Sequence, residues 1–163
     1  MPVLWDKAEH TIVNNESAEI IRMFNAACTS FGDDGLDLYP APLHAKIDAV
    51  NALVYADINN GVYKCGFASR QAAYEEAFDT LFAAMDEIER RLGQQRYLVG
   101  GRLTEADCRL FTILVWFDAV YVGHFKCNLR QMEDYPHLSN YLREFYQVPG
   151  IAETVNMDHI KRH

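Results

Sequence analysis

The sequence predicts a mainly α-helical fold preceded by a short ββα segment. Three observations carry that prediction. Strand-forming residues cluster only near the start, in Val3-Leu4-Trp5 and Thr11-Ile12-Val13. From about residue 43 onward, apolar residues recur at three-to-four spacing. The segment Tyr97 to Asp107, YLVGGRLTEAD, has the form of a turn leading into a capped helix.

The first strand begins at Met1-Pro2. A proline is accepted as the first residue of a strand or in a cis bond beside a turn, because it has no ladder donor to lose there. Asp6 to His10 make a polar turn, and Thr11 to Val13 form the second strand. In Asn14 to Phe24, NNESAEIIRMF, the chain turns into a helix on which Ile20, Ile21, Phe24 and Ala27 share a face. Glu16 and Ser17 sit at the helix start, where free N–H groups and the positive end of the dipole favour an anion. Two roles fit that position. Asn15 or Ser17 can cap the first turn with Glu16 or Glu19 complementing the dipole, or the corner can hold a carboxylate ligand.

Residues 31–42 carry glycines, aspartates and two prolines and are expected to be a linker. The expected domains are therefore 1–30, the linker 31–42, and an all-helical domain 43–163. In the helical part, Ile47, Val50, Val54, Ile58 and Val62 keep helical spacing. Tyr74, Phe78, Leu81, Phe82, Met85, Ile88 and Leu92 trace the face of a long helix that Gly93 ends. A third helix opens at Thr104 and a fourth follows Pro136. Thr104 and Asp107 have the spacing of a capping box, so Asp107 is expected to be a structural cap and not a catalytic acid.

Two places break the local rules. Asn59, Asn60 and Gly61 are poor helix formers inside a helical pattern, and Gly123 interrupts the aromatic run FDAVYVGHFKCN. The four cysteines, Cys28, Cys65, Cys108 and Cys127, form no CxxC pair and no Cys/His cluster, so buried free thiols are expected and no metal site. A net charge of −8 argues against non-specific nucleic-acid binding. The sequence has neither a signal-peptide pattern nor an apolar run near the roughly 20 residues of a membrane span. A cytoplasmic protein with no membrane partner is expected.

Proline, strand, turn, strand and an acid-serine helix start resembles the second half of a thioredoxin-like domain of the glutathione transferase superfamily. YLVGGRLTEAD resembles the signature of that superfamily's helical C-terminal domain. YADINNGVYKCGF, FDAVYVGHFKCN and NMDHIKRH narrow the resemblance to the glutathionyl-hydroquinone reductases, the xi class. The fold then implied is a helical C-terminal domain preceded by a ββα remnant of the thioredoxin-like domain.

The resemblance implies glutathione as co-substrate and aromatic glutathione conjugates as substrates, with a homodimer as the common assembly. Met1 and Pro2 would meet the cysteinyl part of glutathione, and Glu16 and Ser17 its γ-glutamyl end. Tyr63 and Tyr121 would face the hydroquinone, with phenols able to donate to a quinol oxygen. As amphipathic residues, both tyrosines also suit the boundary of a helical core. The family's nucleophile is a cysteine in a Cys-Pro-Trp-Ala motif upstream of the proline, and no cysteine of this sequence stands in that motif. The chain is therefore expected to be a truncated piece, inactive alone, with a thioredoxin-like half too small to stand uncovered. Two further readings stay open: an omega-type thiol transferase or dehydroascorbate reductase, and a non-catalytic oligomerisation module.

Overall fold

The computed structural model describes residues 2–31 and 35–162, with side chains described for 2–27 and 35–162. The chain divides into two units, Met1–His44 and Ala45–His163.

In the first unit, β1 (Leu4–Asp6) and β2 (Thr11–Asn14) pair antiparallel, with Trp5 opposite Ile12 and Asp6 opposite Thr11. Asp6 folds the turn between them: its Oδ1 accepts the Ala8 and Glu9 N–H groups at 2.7 and 3.0 Å. These two donors hold the Asp6 carboxyl below its ordinary value. His10 closes the turn with a left-handed backbone (φ 51°). Two strands cannot bury both their faces, and Val3, Trp5, Ile12 and Val13 are all exposed. Helix α1 (Ser17–Phe31) follows. Its Asn25 holds the segment after it, donating to Asp37 Oδ1 (2.9 Å) and accepting from the Leu38 N–H (2.8 Å).

The second unit is helical. Helix α2 (His44–Leu53) runs through a π-helical stretch, Val54–Asn59, directly into α3 (Asn60–Gly66). Then come α4 (Gln71–Leu92) and α5 (Glu105–Trp116), which runs through a second π-helical stretch, Phe117–Tyr121, into the short α6 (Val122–His124). Finally α7 (Pro136–Tyr146) and α8 (Met157–Arg162) complete the unit. Helix α4 packs on α3, on α7 and on the first π-helical stretch, while α5 packs on that stretch and on α7. The core sits where these faces meet: Ile47, Val54, Ile58, Val62, Leu81, Met85, Ile88, Leu110, Leu114 and Leu138 are buried. Gly61 permits the close approach of α3 to α4, since a Cβ there would lie 3.3 Å from Leu81 Cδ1.

The start of α5 is the polar centre of this unit. Thr104 and Asp107 form a capping box, with the Thr104 N–H donating to Asp107 Oδ2 at 2.8 Å. Asp107 Oδ1 also accepts from the Leu98 N–H (2.9 Å) and from Tyr141 Oη (3.0 Å), so one buried carboxylate joins a loop and two helices. Burial raises the Asp107 carboxyl, and these donors oppose that shift. Next to it, buried Glu105 accepts from Asn51 Nδ2 (2.7 Å) and pairs with Arg109 (3.2 Å), tying α2 to α5.

Candidate functional site

Two places carry the residues singled out by the sequence. The first is the corner before α1. Glu16, not Asn15 or Ser17, occupies the N-cap position. Its carbonyl accepts the first helical bonds from Glu19 and Ile20, and its Oε1 lies 3.4 Å from the Ala18 N–H. The reason lies one step earlier. Asn14 Oδ1 accepts the Glu16 N–H at 2.7 Å and Asn14 Nδ2 donates to Glu19, so the cap begins from the end of β2. Ser17 is then the first helical residue. Glu16 and Ser17 both stay exposed, with the side-chain oxygens of one acid and one hydroxyl beside the N-terminal turn of a 15-residue helix. Pro2 is exposed as well. Met1, and with it the Met1-Pro2 bond, lies outside the described residues.

The second place is an aromatic cluster built where the two π-helical stretches end. A π turn widens the helix by one residue and leaves backbone groups to be satisfied elsewhere. The Asn60 N–H reaches back to the Tyr55 carbonyl, the Val122 N–H to the Phe117 carbonyl, and Lys64 Nζ covers the Ala56 carbonyl at 3.0 Å. Asp118, inside the second stretch, accepts the Met132 N–H at 3.0 Å and so anchors the following loop. The register shifts leave Tyr63 and Tyr121 side by side. Their hydroxyl oxygens lie 3.4 Å apart and their rings 5.9 Å apart at 67°.

Phe67 and Phe125 complete the cluster. Phe125 lies 5.5 Å from each of Tyr63, Tyr121 and Phe67, and Trp116 stacks beside Tyr121 at 6.5 Å. Phe117 is core, as its zero exposure shows. The environments of the two tyrosines differ: Tyr121 is buried at 4 % exposure, whereas Tyr63 is 44 % exposed. Burial first, and the hydrogen bond with Tyr63 second, push the Tyr121 phenol well above its ordinary value, so it remains a neutral O–H donor. Sequence reasoning passed over Phe67 and Phe125, although both stand next to the glycines and cysteines of the two unusual segments.

Other polar side chains of these segments are engaged elsewhere or exposed. Arg22 lies over the Tyr39 ring at 4.0 Å, Lys64 covers Ala56, and His124 is exposed against Phe125. Among the described residues, no group of three or more His, Cys, Asp or Glu side chains could hold a metal ion. No described helix is long and apolar enough to cross a membrane.

The helical unit is similar in fold to one class of proteins, the glutathione transferases. The family model "Glutathione S-transferase, C-terminal domain" matches residues 71–144. All 163 residues align at 57% identity with half of glutathionyl-hydroquinone reductase YqjG of Escherichia coli K12. They align at 52% identity with 52% of glutathionyl-hydroquinone reductase PcpF of Sphingobium chlorophenolicum. Among solved structures, the glutathione-bound YqjG superposes with a TM-score of 0.98 over the whole chain and 53% of that protein. The xi transferase of Phanerochaete chrysosporium gives 0.97 at 56% identity, covering 100% of this chain and 56% of that one. Over its whole length the chain is similar to the glutathionyl-hydroquinone reductases and to the xi-class glutathione transferases. It spans about half the length of the curated relatives it matches.

Proposed function

We propose that this chain is the glutathione-corner and quinol-pocket part of a glutathionyl-hydroquinone reductase. The observation that carries the reading is the meeting of the Tyr63 and Tyr121 hydroxyls at 3.4 Å inside an aromatic cluster. Such a pair suits a flat phenolic ligand: Phe67 and Phe125 offer ring faces, and two O–H groups converge on one point. Glutathione meets the first unit. Glu16 accepts from the γ-glutamyl ammonium, Ser17 and the N–H groups of α1 hold its carboxylate, and Met1 and Pro2 line the cysteinyl part.

In the reaction, a cysteine thiolate attacks the sulfur of the aryl thioether. The aryl C–S bond breaks, the aryl carbon takes up a proton as the hydroquinone leaves, and the thiolate of a second glutathione displaces the enzyme cysteine from the mixed disulfide to give glutathione disulfide. The neutral Tyr121 phenol donates to the quinol oxygen as charge develops on the aryl group. The proposal assigns the attacking thiolate to none of Cys65, Cys108 and Cys127. Burial, with the charges of Asp107 and Glu105, pushes the Cys108 thiol up to about 11, and Cys65 and Cys127 are buried. A homodimer and a cytoplasmic location belong to the same proposal, since glutathione chemistry and free thiols both need a reducing compartment.

A second reading, an omega-type thiol transferase that reduces small disulfides, draws on relatives named omega-like. Glutathione S-transferase omega-like 2 of Schizosaccharomyces pombe is 47% identical over the full chain and 55% of its own length. Small disulfides need no aromatic platform, so the cluster supports the first reading. The test, made with this chain joined to the thioredoxin-like segment that carries the nucleophilic cysteine, is hydroquinone release from a glutathionyl-hydroquinone with excess glutathione, measured beside reduction of a small glutathione mixed disulfide. A kcat/KM higher for the first substrate supports the proposal, and activity on the second substrate alone overturns it.

A further inference from the structure

The ring packed against both Tyr63 and Tyr121 is carried by a turn with little core of its own. Phe125 follows α6, a helix of three residues, and Gly123, His124 and Lys126 around it are exposed. Two backbone groups of that turn are nonetheless held. The Cys127 N–H donates to the Tyr121 carbonyl at 3.0 Å, closing the turn on the second π-helical stretch. The Lys126 carbonyl accepts from Tyr74 Oη at 2.6 Å, which ties the turn to α4. Between them Lys126 keeps a left-handed backbone (φ 58°), a conformation that a residue with a Cβ keeps only where its surroundings impose it.

The two parts of Tyr74 have different contacts. Its ring begins a ladder of aromatic side chains: Phe78 at 5.4 Å, Phe82 at 4.7 Å from Phe78, Phe117 at 6.3 Å from Phe82, and Tyr121 at 6.4 Å from Phe117. A phenyl ring would serve that packing as well. The hydroxyl instead reaches to the Lys126 carbonyl, one residue beyond Phe125.

We infer that Tyr74 is a positioning residue for the aryl site: by holding the Lys126 carbonyl, its hydroxyl fixes the ring of Phe125 as the face on which the quinol stacks. Tyr74 has this role only if the cluster receives the aryl group, as proposed above. Without the bond, the Lys126 peptide is free to leave its left-handed conformation, and Phe125, one residue before, turns with it. Tyr121 is buried against Phe117 and keeps its donor in place. Stacking on a ring face favours bound substrate and transition state alike, so its loss raises KM. Donation by Tyr121 counts as charge develops, so its loss lowers kcat.

Tyr74→Phe tests the role, since the ring and the ladder stay and only the hydroxyl goes. With the chain joined to the thioredoxin-like segment that carries the nucleophilic cysteine, kcat/KM is measured on a glutathionyl-hydroquinone and on a small glutathione mixed disulfide. The first substrate should lose roughly threefold to tenfold, the effect of one neutral hydrogen bond, carried by KM with kcat within about twofold. Mixed-disulfide reduction should stay within about twofold. In a Phe125→Leu background the same substitution should change neither rate by more than about twofold, because the ring it positions is gone. Equal loss on both substrates, a loss that persists undiminished in Phe125→Leu, a fall in kcat alone, or failure of Tyr74→Phe to fold would overturn the inference. Tyr121→Phe, run beside it, separates the two claims. If Tyr121→Phe discriminates between the substrates and Tyr74→Phe does not, the positioning role falls and the quinol site stands. If Tyr121→Phe does not discriminate, the site itself falls, and the role of Tyr74 with it.

Discussion

The ring of Phe125 rests against the backbone of Gly66 so closely that a Cβ added there would lie 2.4 Å from two ring carbons. That approach seats Phe125 between Tyr63 and Tyr121, with its centroid 5.5 Å from each. Gly66 therefore shapes the cluster without presenting a side chain to it. Gly66→Ala should displace Phe125 and cost roughly 1–3 kcal/mol by overpacking. Gly123→Ala is the control: nothing lies within 4 Å of a Cβ there, and its stability should change by no more than about 0.5 kcal/mol. Equal melting temperatures for the two variants would contradict the packing described.

Asp107→Ala should be the more damaging change. It strips acceptors from the Leu98 N–H, the Thr104 N–H and Tyr141 Oη in a buried place. Losing the cap and leaving those donors unpaired should cost roughly 2–4 kcal/mol, a fall of several degrees in Tm or more. An unchanged melting curve would remove Asp107 from the centre of the helical unit.

Cys108 yields a pH prediction. Its thiol is raised from an ordinary 9.0 to about 11, chiefly by burial and then by the Asp107 and Glu105 charges. Native-state alkylation should therefore run roughly a hundredfold slower at pH 8 than for an unperturbed thiol, and accelerate as pH rises through about 11. The linkage has the matching sign. A thiol raised in the folded state contributes stability that is full below 9.0 and lost as pH rises through about 11. Cys108→Ala should flatten that part of the alkaline melting profile, and a rate that already plateaus near pH 9 would contradict the shift.

Glu16 makes a weak bond to its own helix, 3.4 Å to the Ala18 N–H, and is exposed. Glu16→Ala should thus scarcely move Tm. It should weaken binding of every glutathione conjugate by roughly 1–3 kcal/mol, the loss of a charge-assisted hydrogen bond, as calorimetry would read it. Unchanged affinity would leave Glu16 a helix cap only.

Local patterns were legible and distant meetings were not. Thr104 and Asp107 announce their capping box by spacing alone, and α4 announces itself through Tyr74 to Leu92, because both obey short-range rules. The broken helical pattern at Asn59-Asn60-Gly61 was visible, and the structure places it at the exit of a π-helical stretch. The cap at Glu16 was misassigned by one residue, because Asn14 at the strand end decides it through side-chain bonds that propensity does not encode. No local rule sets Phe125 on Gly66 or aims Tyr74 at the Lys126 carbonyl. Those contacts join α3 and α4 to the turn after α6, and only packing brings them together.

The central claim is that Tyr121 serves the aryl half of the substrate and not its glutathione half. Its most direct test, made with the chain joined to the segment that carries the nucleophilic cysteine, compares kcat/KM of Tyr121→Phe with that of the unaltered protein on two substrates, a glutathionyl-hydroquinone and a small glutathione mixed disulfide. Removing one hydroxyl donor should slow hydroquinone release roughly tenfold to a hundredfold, while reduction of the mixed disulfide stays within about twofold. Equal slowing of both reactions, or of neither, would contradict the claim and return Tyr121 to the helical core.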